Sequence, residues 1–178
     1  ILADMRRGYT AAEYLQRLLL LRSHRTDLAL TADVIVGYPG ETEADFEATC
    51  RLVREANFDG LFVFLYSPRP GTTAIRRPDD IPEVEKKRRF KVLNEQQQRQ
   101  QRQRHQGYIG RIEEVLVEQV TGGDGKGRTP HFRLVHFDIP PASNVTPGTR
   151  LAVEITTAFP NSLRGRIEGA IDPRDPRR

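Results

Sequence analysis

Two loops carry the residue types best suited to chemistry: "VGYPGET", Val36 to Thr42, and "YSPRPGTTA", Tyr66 to Ala74. Gly37 and Gly40 allow backbone conformations closed to other residues and let a ligand approach the main chain. Pro39, Pro68 and Pro70 stiffen the loops at an entropy cost already met in the unfolded chain. Two stiff loops at equivalent strand ends suit a shared pocket; the plainer alternative is a pair of strand-to-helix turns, and composition favours neither. No G-x-G-x-x-G or Walker sequence occurs, so dinucleotides and nucleoside triphosphates are poorly supported. Asp33 and Glu41 flank the first loop, yet no partner at a readable spacing makes them a general acid and base. Cys50 falls mid-helix on an apolar face, where core packing is the expected role. His131 and His136 have no thiol or carboxylate at metal spacing, which argues against zinc. Neither a catalytic residue nor a metal ligand is assigned.

The elements that would position these loops fall into three regions. Residues 1–81 alternate helix with strand. Thr10 and Glu13 have capping-box spacing and predict a helix reaching about Ser23, with Tyr14, Leu15, Leu18, Leu19 and Arg22 along one face. Ala29 to Val36 reads as a buried strand. Thr42 caps the next helix, whose Glu43, Asp45 and Glu47 suit its positive end, and whose Phe46, Cys50 and Val53 lie at core spacing. Phe58 to Tyr66 is a second strand, apolar on both faces, so a parallel sheet covered by helices is expected. Residues 82–106 form a connecting helix opened by Pro82, with a narrow seam at Phe90, Val92 and Leu93 and a basic, solvated outer surface. Residues 107–170 hold four short strands, Ile112 to Val120, Arg133 to Phe137, Leu151 to Thr157 and Leu163 to Ile167. Turns such as "TGGDGKGRTP" split them, which predicts a small antiparallel barrel of the kind that often binds nucleic acid. The tail, 171–178, is expected to be disordered.

Bulk properties narrow the partners. The 178 residues carry a formal net charge of +4 with a pI near 9.5, which favours polyanions. No apolar run is long enough to span a membrane and no signal-peptide pattern occurs. The single cysteine excludes an internal disulfide, fits a reducing cytosol, and excludes an iron–sulfur site held by this chain alone. Charges in the barrel region nearly balance, so phosphate binding there needs local clustering. "GDGKGR" and "SLRGR" supply it through exposed backbone N–H groups and Lys126, Arg128 and Arg164, with Arg133 nearby.

Four ordered motifs, "MRRGYTAAEYL", "TADVIVGYPGETEADFEAT", "FDGLFVFLYSPRPGTTA" and "NSLRG", resemble the carboxyl-terminal half of the radical S-adenosylmethionine methylthiotransferases from Met5 to about Gly169. The likeness is nearest to the tRNA branch, which adds a 2-methylthio group to isopentenyl-adenosine beside the anticodon. Branches acting on threonylcarbamoyl-adenosine or on a ribosomal-protein aspartate stay open, although "YSPRPGT" is closer to the tRNA-modifying ones. The resemblance implies an α/β + β fold: the last part of a partial (β/α) barrel, a long helix, and a small antiparallel TRAM barrel, OB-like in kind, that presents RNA. It implies that Arg7, Val36, Gly37, Tyr66, Ser67 and Pro68 border S-adenosylmethionine, and that Lys126, Arg128, Arg133 and Arg164 meet a tRNA anticodon stem-loop.

In this family two [4Fe–4S] clusters and an electron donor drive the reaction, and the cysteines of both clusters are absent here. The chain is therefore expected to be a fragment of a monomeric cytoplasmic enzyme, inactive alone, with its cluster ligands upstream of Ile1. A radical is what an unreactive aromatic C–H bond demands, which accounts for the missing acid–base pair. The target base must leave its stack, as an anticodon loop permits. Two other classes compete: a non-catalytic RNA-binding module, and an unrelated (β/α) hydrolase or isomerase, for which the strand ends offer no catalytic carboxylate, histidine or metal.

Overall fold

The computed structural model describes residues 1–25, 27–141 and 143–171. The expectation of a disordered tail falls, apart from Ile171, outside the described residues. Two compact units emerge, 1–100 and 101–178.

In the first unit, helix α1 (Ala11–His24) opens on a complete capping box. Thr10 Oγ1 accepts from the Glu13 N–H at 3.2 Å, and the Glu13 carboxylate accepts from the Thr10 N–H at 2.7 Å. Leu18 is buried with Tyr14 and Leu15 packed beside it, whereas Leu19 is 64% exposed. The buried stripe centres on Leu18, and Leu19 sits a third of a turn away from it. Strand β1 (Thr31–Val36), helix α2 (Glu43–Ala56) and strand β2 (Gly60–Leu65) follow. Helix α2 is capped reciprocally by Thr42 and Asp45 and ends at Asn57 in the left-handed conformation, φ 47°.

β1 and β2 pair in parallel with Val34 opposite Val63 and Ile35 opposite Phe64. Ala32, Val34 and Val36, with Leu61, Val63 and Leu65, pack into a core containing Phe46, Cys50, Val53, Phe58 and Leu93. The other face differs from expectation. It carries Asp33, Phe62 and Phe64, with Phe62 59% and Phe64 48% exposed, so helices of this unit cover one face only. All three helices gather on the same side of a two-stranded sheet, which leaves the second apolar face open.

Helix α3 (Glu83–Gln106) also departs from expectation. Lys87, Arg88 and Lys91 of its first half form the expected solvated basic surface, but Lys86 and Arg89 are buried beside Leu93, Gln96 and Gln97. Gln96 Nε2 donates to the Cys50 carbonyl at 2.8 Å and Gln97 Nε2 to the Phe58 carbonyl at 3.2 Å, so amides replace aliphatic residues along the seam.

The second unit is a closed barrel of β3 (Ile112–Thr121), β4 (Asp124–Arg128), β5 (Leu134–Asp138), β6 (Arg150–Ala158) and β7 (Leu163–Ala170), ordered β3-β4-β5-β7-β6. The expected antiparallel barrel is corrected at one seam, since β5 and β7 run parallel. A ring of five strands cannot alternate direction all the way round, so one parallel pair is unavoidable. β4 was expected to be a turn. The turn is only Gly122–Gly123, both at positive φ, and the glycines that follow are strand residues. A Cβ on Gly125 would sit 2.2 Å from the Phe137 ring, and one on Gly127 would sit 2.2 Å from the Leu116 carbonyl. Small residues there let the barrel close over Phe137. Its core is Val115, Val117, Val135, Phe137, Leu151, Val153, Ile155 and Leu163.

Candidate functional site

At the carboxyl end of β1 the sequence signals converge on a charged framework. Gly37 has φ 74°, and its N–H donates to Glu41 Oε2 at 2.7 Å. Glu41 is buried and also accepts from Arg89 Nη1 at 2.7 Å, while the same nitrogen donates to the Glu41 carbonyl at 3.0 Å. Arg89 reaches Glu85 at 2.7 Å; Arg88 reaches Glu85 at 2.7 Å and Glu43 at 2.6 Å. Lys86 Nζ lies 2.6 Å from Asp79 and 5.4 Å from the centre of the Tyr66 ring. Hydrogen bonds from Arg88 and Arg89 hold Glu85 down at about 2. Burial works against the Arg89 charge, but its bonds to Glu41 and Glu85 outweigh that and raise it.

A Cβ on Gly37 would meet Lys86 Cγ at 2.4 Å, so the glycine admits the aliphatic stem of Lys86 from α3. Val36 and Tyr66 stand together, the Tyr66 N–H donating to the Val36 carbonyl at 2.9 Å, and Tyr38 meets Tyr66 edge-on at 5.5 Å. Ser67 and Pro68 continue from Tyr66 as exposed loop residues, and Arg7 is exposed with its backbone N–H bonded to Leu2. Val36, Gly37 and Tyr66 are thus brought together, while no described contact joins Arg7 to them.

These residues can be tested against the two groups that the resemblance implies. A cluster does not fit this chain's own donors: no three His, Cys, Asp or Glu residues converge among the described residues, and Cys50 lies in the core. Burial raises the Cys50 thiol, the opposite of a thiolate ligand. A nucleoside fits better as one side of a pocket. The open sheet face offers the two rings of Phe62 and Phe64 beside Asp33, and the strand ends lead into the exposed Ser67–Thr72 loop.

The barrel provides the second cluster. Pairing registers set Gln119 opposite Lys126, Lys126 opposite His136, and His136 opposite Arg164, so one row crosses four strands. Gln119, Thr121, Asp124, Gly125, Lys126 and His136 border a shallow groove on that surface. Lys126 makes no ion pair among the described residues, whereas Arg164 pairs with Asp138. The backbone of Asp124–Arg128 is engaged in ladders with β3 and β5, so the expected exposed N–H donors of "GDGKGR" are corrected, and side chains are what this segment presents outward. Arg128 pairs with Glu118 at 3.2 Å. Arg133 does not face outward as expected, being 7% exposed with its guanidinium 4.5 Å from the centre of the Tyr108 ring. Sequence reasoning considered His136 only as a zinc ligand. Its place between the buried Val135 and Phe137 is a period-two signal that points it outward.

A parallel α/β unit with glycine-bearing strand ends is followed by a small closed barrel that carries a cationic row. Sequence comparison gives the family. Over 168 residues, 93% of its length, the chain is 46% identical to a tRNA-2-methylthio-N(6)-dimethylallyladenosine synthase of Chromobacterium violaceum. Synthases of the same name from Neisseria gonorrhoeae and Legionella pneumophila are 44% and 42% identical over 94% of the chain. The chain belongs to this methylthiotransferase family and spans 37–38% of the length of those relatives. No family model matches it.

Proposed function

We propose that this chain is the carboxyl-terminal part of an enzyme that adds a 2-methylthio group to dimethylallyl-adenosine (isopentenyl-adenosine) of tRNA. The observation that carries this reading is the 46% identity to a synthase named for that product, sustained over both units. The first unit is the closing portion of a partial (β/α) barrel of the radical type. Val36, Gly37, Tyr66, Ser67 and Pro68, with Arg7, border S-adenosylmethionine, and Phe62 and Phe64 supply an apolar wall for its adenine. When bound, this group together with an iron–sulfur cluster supplies the radical chemistry that an aromatic C–H bond requires. The cluster thiolates come from outside this chain, and an electron donor serves the cluster. What the chain's own residues do is narrower. Glu41, Arg89 and Lys86 hold the β1 end rigid, and the open sheet face excludes water once covered.

The barrel, a TRAM-type module, holds the anticodon stem-loop through Lys126, Arg128 and Arg164, with His136 and Gln119 between the charges. Arg133 acts there by fixing Tyr108. Positively charged and hydrogen-bonding side chains in one row suit a phosphate backbone, whose contacts position the strand. The proposed setting is the cytoplasm; no described helix is long and apolar enough to cross a membrane. Substrates of the other two branches are disfavoured by the names of the relatives.

A chimera tests the reading. This chain replaces the matching segment of the Chromobacterium violaceum synthase, and tRNA nucleosides from a strain lacking its own synthase are measured by mass spectrometry. The methylthio nucleoside is expected. A folded, cluster-loaded chimera that leaves the base unmodified overturns the assignment, and if it still binds tRNA the non-catalytic RNA-binding reading replaces it.

A further inference from the structure

The tip between β4 and β5 holds a residue that its surroundings do not explain. Phe132 has φ 60° and is 79% exposed. A bulky residue seldom adopts the left-handed region, where Gly or Asn fits without penalty. Its backbone is nonetheless fixed there. The Phe132 N–H donates to the Thr129 carbonyl at 2.9 Å, the Thr129 N–H donates to the Arg133 carbonyl at 3.0 Å, and Arg128 Nη1 donates to the Phe132 carbonyl at 3.0 Å. The turn is rigid and the ring stands in water. Apolar burial cannot account for either fact, since the ring packs into neither core cluster of the described residues.

The neighbours define what the ring suits. Arg128 is bonded to its carbonyl, Arg133 follows it in sequence, and Arg111 and Arg133 both lie over the Tyr108 ring, at 5.2 and 4.5 Å. Glu113 and Glu118 are the nearby acids, so cations are in excess. An exposed aromatic ring whose own carbonyl is held by the Arg128 guanidinium suits a flat π-system attached to phosphate better than an aliphatic protein surface. We propose that Phe132 is a stacking platform for an unpaired base of the RNA strand that the barrel holds. This rests on the RNA-binding reading of the barrel and adds a non-electrostatic contact to it. The row at Lys126 and Arg164 tracks phosphates, and Phe132 requires a base free of its partner.

The test uses the 178-residue chain and two RNAs of equal length, a hairpin carrying 2-aminopurine in its unpaired loop and a full duplex. Phe132→Asn removes the ring and suits the backbone angle, so it is expected to melt at or above the wild-type temperature. It is expected to bind the hairpin about tenfold more weakly, with loss of 2-aminopurine quenching and an unchanged salt slope, because stacking neutralises no phosphate. Phe132→Trp retains affinity and quenching. Lys126→Ala flattens the salt slope and leaves quenching in the bound state. Equal hairpin affinity and quenching for Phe132→Asn and wild type, with Lys126→Ala still weakened, overturn the stacking role and leave the RNA reading standing. So does an equal loss on hairpin and duplex. If wild type binds neither RNA, the RNA reading falls and takes the proposal with it.

Discussion

The first half of α3 and the outer row of the barrel are both basic, yet they do opposite work. In α3, Lys86, Arg88 and Arg89 each meet a carboxylate brought by another residue: Asp79, Glu43, Glu41 or Glu85. Lys86 and Arg89 are buried in the process. In the barrel, Lys126, His136 and Arg164 are set side by side by strand register and face outward, with one ion pair, Arg164 to Asp138, described among them. The number of cations does not separate the two regions. What separates them is whether acids from elsewhere in the fold converge on them. Paired and buried, a cation is framework; spaced across a pleated surface, it is free to meet phosphate.

The largest effect should come from breaking the framework. Arg89→Ala leaves the Glu41 carboxylate buried with the Gly37 N–H as its remaining described donor, and the first unit is expected to lose about 3–5 kcal/mol, the range for removing one partner of a buried pair. Denaturant unfolding followed by amide exchange in β1 and α2 reads it. The RNA affinity proposed for the barrel should stay put, and an unaltered unfolding midpoint would show that the pair is not framework.

The converse substitution sharpens the contrast. Lys126→Ala with Arg164→Ala should change stability by no more than about 0.5 kcal/mol, because the side chains are outward and their backbones stay in the ladders. The slope of log affinity against log salt should drop by about 1.4, two contacts at roughly 0.7 each for a single strand. A melting shift without a change of slope would make the row structural, as in α3.

These regions also show what a sequence can reveal. The Thr10–Glu13 capping box and the Thr42 cap were visible because they act locally, whereas the return bond, donated by the Thr42 N–H to Asp45, was not read. The core positions of α2 were visible because their spacing matches one helix face. The fate of Lys86 was not. Its burial depends on a glycine nearly fifty positions earlier, which nothing local encodes. β4 was hidden for a related reason: Gly125 and Gly127 look like turn residues, but they answer to Phe137 and to the Leu116 carbonyl across the barrel. Period-two alternation in "LVHFD" carries a signal for an outward His136 that went unread, and only the register of β4 and β7 showed that Lys126 and Arg164 flank it. Charge type is legible in a sequence, but charge pairing depends on tertiary structure.

The smallest expected effect concerns acid. Glu85 is held at about 2, below its ordinary 4.5, chiefly by the hydrogen bond from Arg88 and then by Arg89. A carboxylate depressed on folding adds stability that is fully present above pH 4.5 and is lost as the pH falls towards 2. In that window the grip of α3 on the β1 end should weaken, and amide exchange at Gly37 and Glu41 should quicken. The barrel lacks this contribution, so its own exchange should be less sensitive over the same range. Glu85→Gln isolates the group from the other acids that titrate there: the variant should be less stable than wild type above pH 4.5 and converge with it near pH 2. Parallel curves for the two proteins would mean that the intrahelical bonds of Arg88 and Arg89 to Glu85 contribute nothing to docking, and that the contacts to Glu41, Glu43 and Asp79 hold the helix without them.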